Sequence, residues 1–322
     1  MTYSQADITV PYAVANFAEI RHKGYYYVDK TNYIPLLERY KAPVFLRPRR
    51  FGKSLLVSML AHYYDRNMAT QFEDLFGGTW IGEHPTNEHN QYLVVRYDFS
   101  TTSVASKKED IEKNFNAVNC SPLRTLVERN RDLFGDFRFR EDGNASNMLV
   151  EVCEFISSHN LPPLYILIDE YDNFTNQLLV VYKDSLYQDL TTGESFLRTF
   201  FKVIKAGIGE GTIRTCFCTG VLPVTMDDLT SGYNIAEMLT LKPEFTNLLG
   251  FTHEEAAQYL KYVINKYGPQ ASFEELWTLI LNNYDGYHFL PNAEPLFNST
   301  ILTYFLKNFA ELKGGIPTEM VD

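Results

Sequence analysis

Length, composition and charge already limit what this chain can be. It has 322 residues, of which 45% are hydrophobic and 15% aromatic, so it has enough apolar material for a large core and is not intrinsically disordered. The formal net charge of −11 argues against bulk electrostatic attraction to a nucleic-acid backbone, so direct nucleic-acid binding by this chain is not expected.

The N-terminus and the cysteines indicate a cytoplasmic protein. In chain order, the first predicted unit is an N-terminal segment, residues 1–40, packed on the core that follows. It lacks the basic start and apolar core of a signal peptide, and no apolar run approaches the ~20 residues of a membrane helix, so no membrane partner is expected. The four cysteines form no C-x-x-C pair, and we interpret them as buried, reduced thiols.

A candidate phosphate-binding loop follows the first predicted strand. The strand APVFL, 42–46, leads into RPRRFGKS and then into a predicted helix at 53–65. The loop fits the P-loop pattern G-x-x-x-x-G-K-[ST] except at its first position, where Arg47 replaces glycine. Backbone N–H groups and the helix N-terminus would converge there on an anion. The alternative is a solvated basic turn.

The loop predicts a nucleotide site with Mg²⁺. Lys53 would contact the β- and γ-phosphates and Ser54 would bind the metal, while the arginine side chains would add positive charge. The predicted nucleotide-binding residues are Arg47, Pro48, Arg49, Arg50, Phe51, Gly52, Lys53, Ser54 and Leu55.

The next segments are predicted from their periodicity. We expect a long, exposed connection over 70–90 and a second strand over 92–100, in which Asp98 either holds a water near Mg²⁺ or caps the next turn. Apolar spacing of three and four predicts helices at 106–118, 147–159 and 195–208.

The run LYILIDEYD, 164–172, predicts a buried strand that ends in acids, the Walker B arrangement. Asp169 would hold Mg²⁺ and Glu170 would activate the attacking water. The alternative for an isolated pair of acids is a solvated strand end or a helix N-terminus. Because both motifs occur in one chain, we interpret them as one nucleotide site.

A fourth strand over 213–221 ends in Thr219, which is either a catalytic sensor of the γ-phosphate or a hydroxyl paired with its own backbone.

The separation of 116 residues between Lys53 and Asp169 suggests an extra strand between the two motif strands (169 − 53 = 116). Alternating strands and helices predict an α/β fold with a mainly parallel, doubly wound sheet and its ligand at the carboxyl ends of the strands. The core would span 41–245.

Residues 246–322 predict a helical lid subdomain over the nucleotide. Thr252 and Glu255 fit a capping box at the start of its first helix. Arg198 and Arg214 are weak candidates for an arginine finger, so oligomerisation stays open, and Asp227 and Asp228 fit a helix cap better than a metal site.

Several longer strings extend this interpretation. In order they are YYYVDKTNYIPLL, VFLRPRRFGKSLLVSML, VVRYDFS, LIDEYDNF, CTGVLPVTMDDLTSGYNIAEMLTL, LLGFTHEEA and YDGYHF. Together they resemble the AAA-ATPase-like family of P-loop proteins from about residue 20 to about residue 290. The family's own loop reads RPRRFGKS, so the resemblance implies that Arg47 is compatible with nucleotide binding.

The resemblance also bears on a possible nuclease partner domain and on further nucleotide contacts. Family members often continue into a nuclease-like domain of the PD-(D/E)XK type, which we expect to be absent here, so no nuclease activity is expected from this chain. In the string YVDKT, Tyr27, Asp29, Lys30 and Thr31 either contact the base or ribose or form a turn stabilised by an Asp29–Lys30 pair.

The predicted function is Mg²⁺-dependent binding and hydrolysis of ATP that regulates an attached or partner nuclease or other effector. One alternative is a nucleotide-gated interaction switch with negligible turnover. Another is a kinase for a small substrate, although an acid directly after Asp169 suits water activation better.

Overall fold

The structure is a computed structural model, and it describes residues 9–102, 108–141, 143–173, 195–222, 233–268, 272–284 and 286–318. Asp227 and Asp228 lie outside these ranges. None of the helices within them combines the length and the apolar character that a membrane crossing needs.

A five-stranded parallel sheet forms the centre of the fold. Its strands are β1 (Pro43–Leu46), β2 (Leu93–Asp98), β3 (Leu164–Asp169), β4 (Ile213–Gly220) and β5 (Glu237–Met238), in the order β2-β3-β4-β1-β5. All four strand pairings are parallel, as predicted. β4 lies between β1 and β3, so the expected extra strand is present. Every residue of β1 and β3 is buried, which explains their continuous apolar runs.

Helices cover both faces of this sheet. In the described ranges they are α1 (Phe17–His22), α2 (Ile34–Leu37), α3 (Lys53–Tyr64), α4 (Phe72–Phe76), α5 (Trp80–Glu83), α6 (Lys108–Arg129), α7 (Arg131–Phe134), α8 (Ala145–His159), α9 (Phe196–Glu210), α10 (His253–Tyr267), α11 (Phe273–Tyr284) and α12 (Ser299–Glu311). One face packs against α6, α8 and α9, and the other packs against α1 and α3.

The segment 70–90 differs from its predicted form. Instead of an exposed connection it contains α4 and α5, and Phe76 and Ile81 are fully buried. The polar residues around these side chains concealed the short helices, because a four- or five-residue helix leaves almost no periodicity to detect.

The C-terminal helices form a separate core that contacts the N-terminal segment. α10, α11 and α12 share a buried cluster that includes Val10. The Tyr26 ring stacks on the Tyr259 ring of α10 at 4.1 Å, and the Thr9 N–H donates to the Tyr267 hydroxyl at 2.8 Å. The N-terminal segment therefore packs against the C-terminal helices.

Candidate functional site

The loop between β1 and α3 has a backbone that only certain residues adopt easily. Gly52 has φ +89° and Arg50 has φ +71°, both in the left-handed region. Gly52 immediately precedes α3, and the first N–H groups of a helix have no partner within the helix. The loop and the helix start together therefore present backbone donors to one cavity, whose lining includes all residues from Arg49 to Leu55.

Arg47 has a different role from the one expected. Its side chain is 1% exposed, and its guanidinium donates to the carbonyls of Leu46, Thr240 and Thr246 at 3.0 to 3.2 Å. The same group lies 4.4 Å from the ring centre of Phe45 and 3.9 Å from that of Phe289. Burial lowers the pKa of Arg47 to about 10. Contrary to the expectation, this side chain anchors the base of the loop and adds no charge to the cavity.

Lys53 begins α3 and lies across from the acids of β3. Its ammonium donates to the carbonyls of Arg47 and Pro48, both at 3.1 Å, and lies 3.7 Å from a carboxylate oxygen of Glu170. The side chain is 4% exposed, and burial lowers its pKa while Glu170 and Asp169 raise it. An ammonium held by neutral carbonyls can also form charge-assisted hydrogen bonds with an anion.

Ser54 and Asp169 form the second contact between the two predicted motifs. Both residues line the same cavity, and the Asp169 carboxylate accepts from the Glu170 N–H at 3.0 Å. Burial raises the pKa of Asp169, and the nearby Ser54 hydroxyl opposes that rise. Asp98 ends the neighbouring strand in register with Asp169 and lines the same cavity, while its carboxylate also accepts from the Ser100 N–H at 2.9 Å.

These oxygens have the chemistry of a hard-cation site. In the described ranges, no group of three or more His, Cys, Asp or Glu side chains could hold a metal by itself. A hydroxyl beside a carboxylate nevertheless provides the oxygen donors that Mg²⁺ prefers, and Mg²⁺ usually keeps several waters and substrate oxygens. Ser54 and Asp169 therefore fit a nucleotide-bound magnesium ion.

Glu170 adopts a backbone conformation that favours glycine. Its φ is +51°, whereas L side chains rarely adopt that region. Burial raises the pKa of its carboxyl group and the neighbouring Lys53 lowers it. The strained backbone brings the side chain into the cavity beside Lys53. Strain of this kind is often found at functional sites.

The two residues after Glu170 join β3 to β4, which the sequence did not reveal. The Asp172 carboxylate accepts from the N–H groups of Val221 and Leu222 at 3.0 and 2.7 Å, and the Tyr171 hydroxyl donates to the Leu222 carbonyl at 2.7 Å. A Cβ on Gly220 would lie 2.2 Å from the Asp172 carboxylate. The acid-rich end of β3 therefore depends on a glycine at the end of β4.

Thr219 does not have the geometry of the expected sensor. The residue is fully buried, and its hydroxyl donates to the Phe45 carbonyl of β1 at 2.8 Å. It lies outside the residues that line the cavity. The hydroxyl therefore joins two strands, a role closer to the backbone-pairing alternative than to contact with a γ-phosphate.

The YVDKT string joins three parts of the fold. Asp29 accepts from the N–H groups of Thr31 and Trp80, and so holds the start of α5. The Lys30 ammonium donates to both carboxylate oxygens of Glu255, at 2.6 and 2.7 Å. The expected Asp29–Lys30 pair is thus replaced by Lys30–Glu255. Tyr27 and Lys30 line the cavity, as expected for residues close to a ligand.

Residues far along the chain support the loop. The Arg49 carbonyl accepts from the Asn298 side-chain amide at 3.1 Å, and the Arg50 carbonyl accepts from the Thr300 N–H at 3.1 Å. The Phe51 ring packs edge-on against Tyr287 at 4.9 Å. Sequence reasoning missed these contacts, although the string YDGYHF, which contains Tyr287, was among those carrying the family resemblance.

The arginine-finger candidates lie elsewhere. The Arg214 guanidinium pairs with Glu88 at 2.5 Å, and this contact raises the pKa of Arg214. Arg198 lies on α9, where its N–H donates to the Ser195 hydroxyl at 3.1 Å. Neither residue lines the cavity.

The cavity has a volume of about 520 Å³ and a lining of two chemical kinds. Its polar lining includes Lys53, Ser54, Asp169 and Glu170. Its apolar and aromatic lining consists of Pro11, Ala13, Val14, Ala15, Ile20, Tyr26, Tyr27, Val28, Leu248, Leu249, Phe251 and Tyr259. The volume lies within the range of ~300–1,000 Å³ typical of small-molecule sites. A ligand that combines an anionic group with a flat, less polar group would match both kinds of lining.

Comparison with known proteins gives two findings. The family described as a predicted AAA-ATPase matches residues 11–230. A protein of Azotobacter chroococcum mcd 1, named "Uncharacterized protein in vnfD 5'region", is 26% identical over 255 residues. The matched region covers 76% of this chain and 43% of that relative, so the chain spans less than half of the relative's length.

Proposed function

The chain belongs to the AAA-ATPase-like family, a family of predicted ATPases, and on that premise we propose that it binds Mg-ATP in the 520 Å³ cavity and hydrolyses it. The observation that carries the proposal is the meeting of the two motifs. The Lys53 ammonium lies 3.7 Å from a Glu170 carboxylate oxygen, and the nearby Ser54 hydroxyl lowers the pKa of Asp169. Residues 117 and 115 positions apart thereby line one polar site (170 − 53 = 117; 169 − 54 = 115).

The phosphates lie at the start of α3. Backbone N–H groups of 48–54 and the positive end of the helix attract the anion, and Lys53 exchanges its contacts with the Arg47 and Pro48 carbonyls for phosphate oxygens. Arg49 lines the same end and adds positive charge. The residues 47–55 thus act mainly through their backbone, with Arg47 and Phe51 holding the loop in shape.

Ser54 and Asp169 would hold the magnesium ion. A magnesium ion bound there would neutralise phosphate charge, including the charge that develops on the γ-phosphoryl group. Asp98, at the end of the adjacent strand, can accept a hydrogen bond from a water of that ion. Burial of Asp169 disfavours an unpaired negative charge, so a cation at this position relieves an electrostatic cost.

Glu170 would orient and deprotonate the attacking water. Its raised pKa makes the carboxylate a stronger base than an exposed glutamate. The Glu170 carboxylate lies 3.7 Å from the Lys53 ammonium, so phosphate binding to Lys53 would release it for this role. Thr219 has no step in this scheme, because its hydroxyl is bonded to β1.

We also propose that α10–α12 carry the nucleotide state to an effector. The start of α12 contacts the loop through Asn298 and Thr300, and residues of α10 and α12 line the cavity, as a lid would. An attached or separate nuclease is one such effector. Regulation of this kind requires only that the helices bind differently in the ATP and ADP states.

The second candidate is a nucleotide-gated switch with negligible turnover. The contacts that occupy Lys53 and Glu170 favour it, because both side chains must rearrange before catalysis. Calorimetric titration of the purified protein with Mg-ATP and Mg-ADP, followed by phosphate release on the same sample, separates the candidates. Binding with release supports the ATPase, binding without release supports the switch, and no binding would contradict both.

A further inference from the structure

Residues 9–17 run from the C-terminal helices to α3, and Thr9 fixes the first end of this segment to α10. The Thr9 N–H donates to the Tyr267 hydroxyl at 2.8 Å. The Thr9 hydroxyl pairs with the Tyr262 hydroxyl at 2.6 Å and accepts from the Lys266 ammonium at 2.9 Å. Three side chains of one helix therefore hold a single residue of the segment.

The next residues add apolar contacts at the same end. Val10 is buried in the core that α10, α11 and α12 share. The Tyr12 ring packs edge-on against the Tyr304 ring of α12 at 5.2 Å, and the Lys307 ammonium lies 5.6 Å from the centre of the Tyr12 ring. The segment is thus anchored to two of the C-terminal helices.

The other end of the segment is anchored to α3. Phe17 is fully buried, and its N–H donates to the Ser58 hydroxyl at 3.0 Å. Residues 13–16, which we call the strap, connect the two anchors. Among the described residues, no hydrogen bond holds the backbone groups of residues 13–15. Ala13 has φ +59°, a strained backbone that persists only where the surrounding structure imposes it.

The strap lies at the opening of the cavity. Ala13, Val14 and Ala15 line the cavity, as do Arg49 and Arg50 of the phosphate-binding loop. Both of these alanines and both arginines are also exposed to solvent. Residues that line a cavity and also reach solvent border its opening. The strap and the loop therefore border the opening of one cavity.

We propose that the strap moves aside when nucleotide enters or leaves the cavity and so sets the rate of nucleotide exchange. A segment with exposed, unbonded backbone between two anchors opens at a lower free energy than the core does. In an ATPase, such a step limits how fast ADP leaves and the next ATP binds. This inference rests on the proposed function, since it takes the cavity as the nucleotide site.

The test loosens the anchors without changing the cavity lining. Tyr12→Ala removes the ring contacts with α12, and Thr9→Val removes the hydroxyl that pairs with α10; neither residue lines the cavity. Stopped-flow fluorescence with Mg²⁺ and the analogue mant-ATP measures the association and dissociation rate constants. In each variant both constants should rise by the same factor, about three- to tenfold, which is the loss of one aromatic contact or hydrogen bond.

The dissociation constant should stay within about twofold of the parent value, because a barrier shared by entry and exit cancels from the equilibrium. Calorimetric titration with Mg-ATP measures it independently of the fluorescent label. This combination separates a strap that controls passage from a wall that binds the ligand. Loss of a contact with the ligand would raise the dissociation rate constant alone.

Tyr40→Ala is the matched control. The Tyr40 ring also packs edge-on against one ring, that of Phe245 at 5.8 Å, and also has a lysine near its face, with the Lys242 ammonium at 4.2 Å. Tyr40 lies outside the cavity lining and outside the segment 9–17. Its replacement should leave both rate constants at the parent values.

The remaining outcomes overturn the inference in distinguishable ways. Unchanged rate constants in both strap variants would show that nucleotide passes elsewhere, and the proposed function would be unaffected. A rise in the dissociation rate constant alone would show that the segment acts on affinity. An equal rise in the Tyr40→Ala protein would show that general loosening of the fold is responsible. If the parent binds neither Mg-ATP nor mant-ATP, the proposed function fails and the inference fails with it.

Discussion

At the scale of single residues, Lys53 combines several contacts in one buried group. Its ammonium contacts two loop carbonyls and lies 3.7 Å from Glu170. Lys53 and Glu170 both line the proposed nucleotide site. The charge of Lys53 should therefore matter more for ligand binding than for the fold.

Lys53→Ala should weaken Mg-ATP binding by roughly 10- to 100-fold, because charge-assisted hydrogen bonds to phosphate are lost. Isothermal titration measures this change. Lys41→Ala is the control, since Lys41 is an exposed lysine just before β1, the strand that leads into the loop. Unchanged affinity in the Lys53→Ala protein would contradict the phosphate role of this residue.

Glu170→Gln should retain ATP binding and lower turnover by about 100-fold or more, because glutamine keeps the shape of the side chain but cannot accept the proton of water. Phosphate release under saturating ATP measures the change. Burial raises the pKa of Glu170, so its carboxylate takes up a proton at a higher pH than an exposed glutamate does. As the pH is lowered, turnover of the parent protein should therefore begin to fall earlier than it would with an exposed glutamate as the base. A Glu170→Gln protein that hydrolyses ATP at the parent rate would show that another group activates the water.

At the scale of elements, the end of β3 is locked to the end of β4. The lock consists of Tyr171 and Asp172, which bond to residues 221 and 222, with Gly220 leaving room for the carboxylate. The lock holds the segment that follows Glu170 while the backbone of Glu170 itself is strained. The position of the proposed base thus depends on two strands.

Gly220→Ala should destabilise the protein by about 1–3 kcal/mol, because the new methyl group would overlap the Asp172 carboxylate. Chemical denaturation gives the free energy of unfolding. Gly209→Ala is a suitable comparison, since Gly209 lies in α9 with nothing within 4 Å of the added Cβ and helix propensity favours alanine. Equal stability of the two variants would mean that Asp172 can move aside for the methyl group without losing its stabilising contacts.

Sequence alone predicted the elements that carry a local pattern. The runs at 42–46 and 164–169 became buried parallel strands, and Lys53, Ser54, Asp169 and Glu170 came together at their ends. The roles of Asp172 and Arg47 could not be predicted, because their partners lie about 50 and 200 positions away and no periodicity links them. The sequence left two roles open for Thr219, because a hydroxyl at a strand end pairs equally well with a ligand or with nearby backbone.

At the scale of the whole molecule, the Lys30–Glu255 pair joins the N-terminal segment to α10. Lys30 is 8% exposed, and its ammonium also donates to the Asn247 carbonyl at 2.8 Å. Glu255 accepts in addition from the Thr252 N–H and so completes a capping box. This ion pair therefore connects the N-terminal segment, the start of α10 and the lining of the cavity.

Lys30→Met should destabilise the protein by about 3 kcal/mol, because Glu255 is left without its cation in a largely buried position. The double variant Lys30→Met/Glu255→Gln should recover part of that loss, as measured in a double-mutant cycle. Lys23→Met, which breaks the exposed Lys23–Glu19 pair, should leave the free energy of unfolding unchanged. If Lys30→Met behaves like Lys23→Met, the pair does not hold the two parts together.

The hydrogen bonds from Asn298 and Thr300 to the loop carbonyls also determine when the loop can form. Asn298 and Arg49 are separated by 249 positions, so their hydrogen bond closes one of the longest chain loops among the described residues. Contacts between distant positions form late, because the entropy of closing the chain must be overcome first. During synthesis, the N-terminal half would leave the ribosome with its sheet strands available and its anion-binding loop still unsupported. Competence to bind nucleotide would then mark a chain whose C-terminal helices have been made and docked.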